Sequence, residues 1–387
     1  MGIDDATLGT RLQTARRALG LTQGEVGSKM NMATSTVSAV EAGKRSVTGP
    51  ELQEFARIYH RPVASFFDEE AEESPGFQYL FRNAEVEILD RVSLEEFRQL
   101  ARDYRLIEEV AEVAPLPLPP DYSQFGFHTD HDAETLAEME RGRLGLGDAP
   151  LANLANLLDS AVGIRTFLVP VGNQSWSGLV VKDRDGRPCI GINSKEVAYR
   201  RNFNLAHEYA HVLVHLYKQG MPAARIDKAI EVVSTSANEQ FANAFASAFL
   251  MPRRAVLAQL ERVLGANAGK FTCYDLVHLA MQFGVSGQAL SLRLVSLRKL
   301  KREVPGDLWR SGTFKDLAHA LGYEVEDDVW RQPAVLPSRF RYLAMKAYEE
   351  ARISLSKLAE LLRINYHELD SILRSAAQAE ADAELAG

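Results

Sequence analysis

At 387 residues, with 46% hydrophobic and 25% charged side chains, the chain has room for two or three domains with separate cores and is neither disordered nor fibrous in composition. Its 44 basic and 52 acidic residues leave a net charge of −8, which excludes general coating of nucleic acid but leaves room for one small DNA-binding face. No apolar run approaches the roughly 20 residues that a bilayer requires, no basic and apolar leader opens the chain, and Cys189 and Cys273 do not make a disulfide framework, so a reducing cytoplasm without membrane contact is the expected setting.

Residues 1–68 read as a small helical bundle. Leu8, Leu12, Ala15 and Leu19 recur at helical spacing, and Gly20 stands where a helix stops. Thr22, with Glu25 three residues on, spells a capping box for Gln23–Met30. Asn31-Met32-Ala33 makes a brief turn into Thr34–Ala42, which Gly43 ends, and apolar stripes follow over Pro50–Tyr59 and Val63–Phe67. Two short helices joined by a turn inside a bundle describe a helix-turn-helix; a bundle used only for dimerisation is the other reading.

The runs Leu21-Thr22-Gln23, Ser35-Thr36-Val37-Ser38 and Val40-Glu41-Ala42-Gly43-Lys44-Arg45 resemble the Xre/Cro-type repressor family over nearly the whole segment. That resemblance implies operator DNA as a partner, with Gln23 at a helix start against a phosphate and Thr34, Ser35 and Ser38 facing base edges. Lys44 and Arg45 would reach the DNA backbone, where cations contribute affinity rather than sequence choice. A homodimer is expected, because such readers engage paired half-sites.

Residues 69–125 are predicted to connect. The acidic break from Asp68 to Gly76 reads as a solvated linker. Phe97, Leu100, Tyr104, Ile107 and Val110 then form one stripe on a long helix within Phe81–Ala114, a candidate dimer contact. Pro115-Leu116-Pro117-Leu118-Pro119-Pro120 breaks it and should run extended as a stiff spacer.

Residues 126–300 change character. Ala133–Leu144 and Leu151–Ala161 are predicted helices; Ile164–Val169, Ser177–Val181 and Pro188–Ile192 are β-rich, with Asp185-Gly186 as a hairpin turn. A small antiparallel sheet is therefore expected before a helix over Val197–Tyr217. Inside that helix His207, Glu208 and His211 spell H-E-x-x-H. Residues four apart share a helix face, so the two imidazoles can grip one metal ion while the Glu poises a water. A third ligand is needed. Glu239 stands out on a second helix marked by Phe241, Phe245 and Phe249 and ended by Met251-Pro252. His215 is the rival, but it lies about 12 Å along the axis from His207; Glu231 is a second rival. Zinc is the default for a His/His/Glu set, with manganese also admitted. Asn243, one turn after Glu239, could orient a ligand or simply hydrogen bond within the helix pair. Tyr209 and Tyr217 are candidates to assist at an oxyanion.

The run Phe203–His211, Glu239-x-x-Ala242-Asn243-x-Phe245-Ala246 and Leu250-Met251-Pro252 are similar to the ImmA/IrrE family of metallopeptidases, over roughly residues 133–300. The resemblance implies zinc bound by His207, His211 and Glu239 and a general base at Glu208. Asn204 departs from a frequent Thr. Family members with an N-terminal Xre domain are also similar around Phe81–Glu112. A further helix-turn-helix-like unit is expected over 271–300, around Gly284-Val285-Ser286, and a helical C-terminal region over 301–387, with Ala376–Gly387 fraying.

The expected fold is mainly α with a small antiparallel sheet (α+β): a helix-turn-helix bundle, a zincin-like metallopeptidase domain and a helical C-terminal region. The expected function is a DNA-binding regulator whose peptidase cuts a repressor, or its own linker. The competing function is an autorepressing antitoxin-like protein that neutralises a toxin partner, with the metal site structural or silent.

Overall fold

The computed structural model describes residues 3–67, 74–82, 90–126, 129–151, 153–172, 176–218, 224–227, 236–265, 272–301, 313–323 and 336–375. The N-terminal bundle comprises α1 (Asp5–Ala18), α2 (Gln23–Met30), α3 (Thr34–Glu41) and α4 (Gly49–Ile58). Its boundaries have local causes. Asp4 caps α1, Thr22 and Glu25 form the expected box at α2, and Thr48 and Glu51 form another at α4. Asn31 ends α2 in the left-handed region at φ 53° and turns the chain into α3. Leu12, Ala15, Val26, Val37, Val40 and Phe55 close the core. Arg16 donates to both oxygens of buried Glu41 at 2.6 and 2.9 Å, fixing α1 against α3.

One sheet organises the rest. β1 (Arg165–Val169), β2 (Gly178–Lys182), β3 (Pro188–Asn193) and β4 (Ala224–Asp227) lie in the order β1-β3-β2-β4. β2 and β3 form the expected hairpin, turning with Gly186 at φ +80°. The expectation of an antiparallel sheet needs correction: β1 pairs parallel to β3, while β2 pairs antiparallel to β3 and β4. After β1 the chain re-enters two places away as β2, and the hairpin then slots β3 between them, pointing the same way as β1. Such pairing depends on the path of the chain and leaves no mark on local periodicity. β4 follows the metal-motif helix and had no strand expectation.

Both faces of the sheet are buried, so β1, β2 and β3 are buried along nearly their whole length rather than at alternate residues, the polar Arg165, Thr166 and Asn193 included. Val180, Ile190 and Ile192 face a core built by α7 (Asp130–Arg143), α8 (Leu154–Leu157, continued by a π turn over Leu158–Val162), α9 (Ala198–Val214), α10 (Ala237–Leu250), α11 (Arg253–Leu264), α12 (Cys273–Phe283) and α13 (Gly287–Ser296). α12 and α13 are the expected second helix-turn-helix-like pair, joined through Gly284 at φ +62°. α14 spans Thr313–Ala320.

Phe167, Val169, Leu179, Val181 and Cys189 face the other way. There they meet α5 (Pro75–Arg82), α6 (Arg91–Val110), α15 (Ser338–Glu349) and α16 (Leu355–Leu362), and α17 follows over 366–375. Phe97 and Tyr104 of α6 meet Phe167 edge-on at 5.8 and 6.0 Å, and Tyr104 also meets Phe340 of α15 at 5.4 Å. The α6 stripe expected as a dimer contact is thus covered within the chain. The spacer after it is anchored as well: Arg187 donates to the Leu116 carbonyl at 2.7 Å. Of the acidic break, residues 68–73 lie outside the described residues, as do 376–387; Ser74 is buried and its hydroxyl donates to the Lys182 carbonyl at 2.8 Å.

The reader bundle docks on α6 through buried charge. Arg61, just past α4, meets Glu95 at 2.5 Å, and Arg98 Nε donates to the same carboxylate at 3.0 Å. Arg91 adds a bond to the Ala18 carbonyl at 3.0 Å. Burial alone would raise the Glu95 pKa, but Arg98 and Arg61 outweigh it and hold the carboxyl below its ordinary 4.5. A depressed folded-state pKa means that the stabilisation is present above about pH 4.5 and is lost as pH falls through the folded value. Replacing Glu95 by Gln leaves two arginines around a neutral group and should cost about 3–5 kcal/mol in urea unfolding at pH 7. The difference between variant and wild type should shrink as the titration is taken below pH 4.5.

Candidate functional site

From Asn204 to Val214 every residue of α9 is buried, so each polar side chain in that stretch needs a partner. α10 crosses α9 and supplies much of that environment. His207 Nε2 lies 3.0 Å from His211 Nε2 and 3.1 Å from Glu239 Oε2, and His211 Nε2 lies 3.6 Å from Glu239 Oε1. Tetrahedral coordination with bonds near 2.0–2.1 Å places ligand atoms about 3.3 Å apart, so the three groups fit one divalent ion. Among the described residues, this is the one cluster of three or more His, Cys, Asp or Glu that could hold a metal. Two imidazoles and a carboxylate are the donors that zinc takes at a hydrolytic site, and they also admit manganese.

The ligand atoms are aimed by their neighbours. Asn243 Oδ1 accepts from His207 Nδ1 at 2.9 Å, which puts the proton there and leaves the Nε2 lone pair for a metal. His211 Nδ1 lies 2.8 Å from His215 Nδ1. Burial, then the neighbouring His211, push His215 down to about 3, so it stays neutral beside His211 Nδ1. His215, the rival ligand, therefore sits behind His211, against its Nδ1. Glu231 lies outside the described residues.

Glu208 is fully buried and points at the sheet. A Cβ on Gly178 would lie 2.2 Å from Glu208 Oε1 and 3.0 Å from its Cδ. Only glycine at this point of β2 lets the carboxylate lie against the strand. Beside it, Asn204 donates to Glu196 Oε2 at 2.5 Å and Ser177 donates to Glu196 Oε1 at 2.7 Å, tying the turn of α9 before Glu208 to the start of β2. Burial still holds the Glu196 carboxyl above its usual range.

Two groups were not anticipated. Gly178 carried a weak signal, an isolated glycine at the head of a strand. Arg225 carried none; from β4 it places Nη2 against Glu239 Oε1. Neither oxyanion candidate faces the ligands. Tyr209 donates to Glu140 and accepts from Arg143 at 3.1 Å, packed between Phe245 and Phe249; Tyr217 donates to the Gly186 carbonyl at 3.4 Å.

In the N-terminal bundle, Thr34, Ser35 and Ser38 stand exposed on α3 while Val37 and Val40 are buried beneath. Lys44 is exposed, and Arg45 Nη2 donates to Glu51 at 2.7 Å. Gln23 takes the first position of α2, but its amide nitrogen donates inward to Glu41 at 2.9 Å. The side chain expected on a phosphate is thus held by the Arg16–Glu41 pair.

Residues 159–295 match the family described as an IrrE N-terminal-like domain, peptidase M78, and residues 7–65 match a helix-turn-helix domain. The chain thus carries both, the helix-turn-helix first. No curated protein matches the chain. Among solved structures, Bacillus thuringiensis PlcR in complex with the peptide PapR7 and DNA is 11% identical, with 97% of this chain and 98% of that chain covered at a TM-score of 0.16. ComR from Streptococcus suis is 10% identical, with 97% and 96% covered at 0.17. No helix among the described residues is long and apolar enough to cross a membrane.

The Gly178 contact is testable without any substrate. Gly178→Ala should cost about 1–3 kcal/mol in denaturant unfolding, the usual size for an overpacked core, because Glu208 must move. In a Glu208→Ala background the same change should cost less than about 0.5 kcal/mol, since the clashing group is gone. Equal costs in the two backgrounds would place the clash elsewhere.

Proposed function

We propose that this chain is a cytoplasmic DNA-binding regulator whose peptidase M78 domain is a working metal-dependent endopeptidase. Its substrate is a repressor protein or the chain's own segment 69–76. The observation that carries the proposal is the convergence of His207, His211 and Glu239 within 4.8 Å of one another, one helical residue from a buried carboxylate at Glu208.

His207 and His211 would hold the ion by Nε2, with their protons kept on Nδ1 by Asn243 and His215. Glu239 would supply the third ligand and leave a position open for water or a carbonyl. A zinc ion held there supplies Lewis acidity toward water and the scissile carbonyl. Glu208 takes a proton from the attacking water as its oxygen bonds to the carbonyl carbon. It returns that proton to the leaving nitrogen as the C–N bond breaks. Its burial among α9 and β2 keeps the carboxylate from drifting into solvent, so proton transfer occurs at a fixed distance.

The N-terminal bundle gives the cut a consequence. Thr34, Ser35 and Ser38 are presented on one exposed face for base edges, and Lys44 for a phosphate. Dimeric binding to paired half-sites follows from that mode of recognition.

Wild type and Glu208→Gln, each with zinc or manganese, should be incubated with candidate repressors in the presence of operator DNA. Cleavage by wild type and a loss of at least about 1,000-fold in the variant are expected, since the proton carrier is gone. No cleavage by either, with equal repression by both, would contradict the peptidase and leave the DNA-binding module. Separately, Lys44→Ala should weaken binding to all DNA sequences alike and lower the salt slope by about one. A sequence-dependent loss, measured by fluorescence anisotropy across salt concentrations, would instead place Lys44 at a base.

A further inference from the structure

Three acceptor atoms face one another at the ligand cluster. With both Nδ1 positions protonated, His207 Nε2 and His211 Nε2 present lone pairs 3.0 Å apart, and Glu239 adds a carboxylate 3.1 Å from the first. Acceptors held this close repel unless a cation lies among them. β4 brings one. Arg225 stands opposite Val180 in the β2–β4 register, and alternation along the strands puts it on the same face as Gly178, toward α9. Its Nη2 reaches Glu239 Oε1, and its side chain is 31% exposed against 17% for Glu239. The guanidinium therefore enters from the solvent side of the site, on an edge strand of four residues.

We propose that Arg225 is a resident cation that holds Glu239 in the ligand position, and that a divalent metal loads by displacing it. This rests on the metal centre proposed above. Glu239 presents Oε2 to His207 Nε2 and Oε1 to Arg225, and a dication between the imidazoles and a guanidinium on the same carboxylate repel each other. Loading is thus an exchange. The arginine lowers metal affinity while holding Glu239 beside the imidazoles, so metal occupancy follows the supply of free metal. Arg225 is a positioning residue in this scheme, acting through Glu239.

The full chain and its variants Arg225→Gln, Arg225→Met and Arg225→Lys should be titrated with zinc against a chelator of known affinity, and melted with and without zinc. Gln and Met, which remove the charge, should bind zinc at least roughly ten-fold more tightly than wild type, because metal no longer competes. Lys, which keeps the charge, should stay within about three-fold. Without metal, the Gln and Met variants should melt below wild type, and saturating zinc should close that gap. A structural role for Arg225 would give the opposite sign: weaker or equal binding, with the gap persisting in zinc. That result overturns the exchange and leaves the metal centre standing. Failure of wild type to bind zinc at all overturns both.

Discussion

The constraint on which the site depends is the distance between α9 and the sheet. Gly178 lets Glu208 lie against β2, and that approach sets the rotation of α9 about its axis. On the same helix His207 and His211 meet α10 through Glu239 and Asn243. A side chain at position 178 would push α9 outward or turn it, and the ligand distances would open together. The geometry is therefore held by packing as much as by hydrogen bonds, in a helix whose second half is buried on every side.

The far face of that sheet explains how the helix-turn-helix bundle and the peptidase M78 domain share one chain. α6 packs Phe97 and Tyr104 on Phe167, and its Glu95 receives Arg61 from the N-terminal bundle. Farther along α6, Glu108 takes Arg165 of β1 at 2.6 Å and also Arg339 of α15. Arg165 in turn reaches Asp183 at 2.8 Å and Asp185 at 2.6 Å, beside the β2–β3 turn. One helix thus links the reader, the sheet edge and the C-terminal helices through buried ion pairs, which are costly to break one partner at a time.

Much of this was legible because it is local. Thr22 with Glu25, Gly20 after α1 and Gly284 between α12 and α13 mark their own boundaries, and H-E-x-x-H carries its geometry in its spacing. Glu239 was legible because a catalytic metal site with two imidazoles needs a third donor, and a carboxylate on a second helix supplies one. Pairing across the chain was not legible. Nothing in Ile164–Val169 says that it will run parallel to β3, and β4 is too short to show a period. α6 looked like a connector because its partners, β1 and α15, lie far away in sequence. Gln23 matched its family motif, yet its amide turns inward, because the charge it meets on Glu41 is also distant. Arg225 was invisible for the same reason: a lone arginine in a four-residue strand gains meaning only from what lies opposite.

Crystals grown with zinc and measured on both sides of the zinc absorption edge test the central claim most directly. One anomalous peak is expected at the site, about 2.0–2.2 Å from His207 Nε2, His211 Nε2 and one oxygen of Glu239, with Glu208 standing off the ion. A peak coordinated by His215 in place of His207 or Glu239, or no peak between α9 and α10 at saturating zinc, would contradict it.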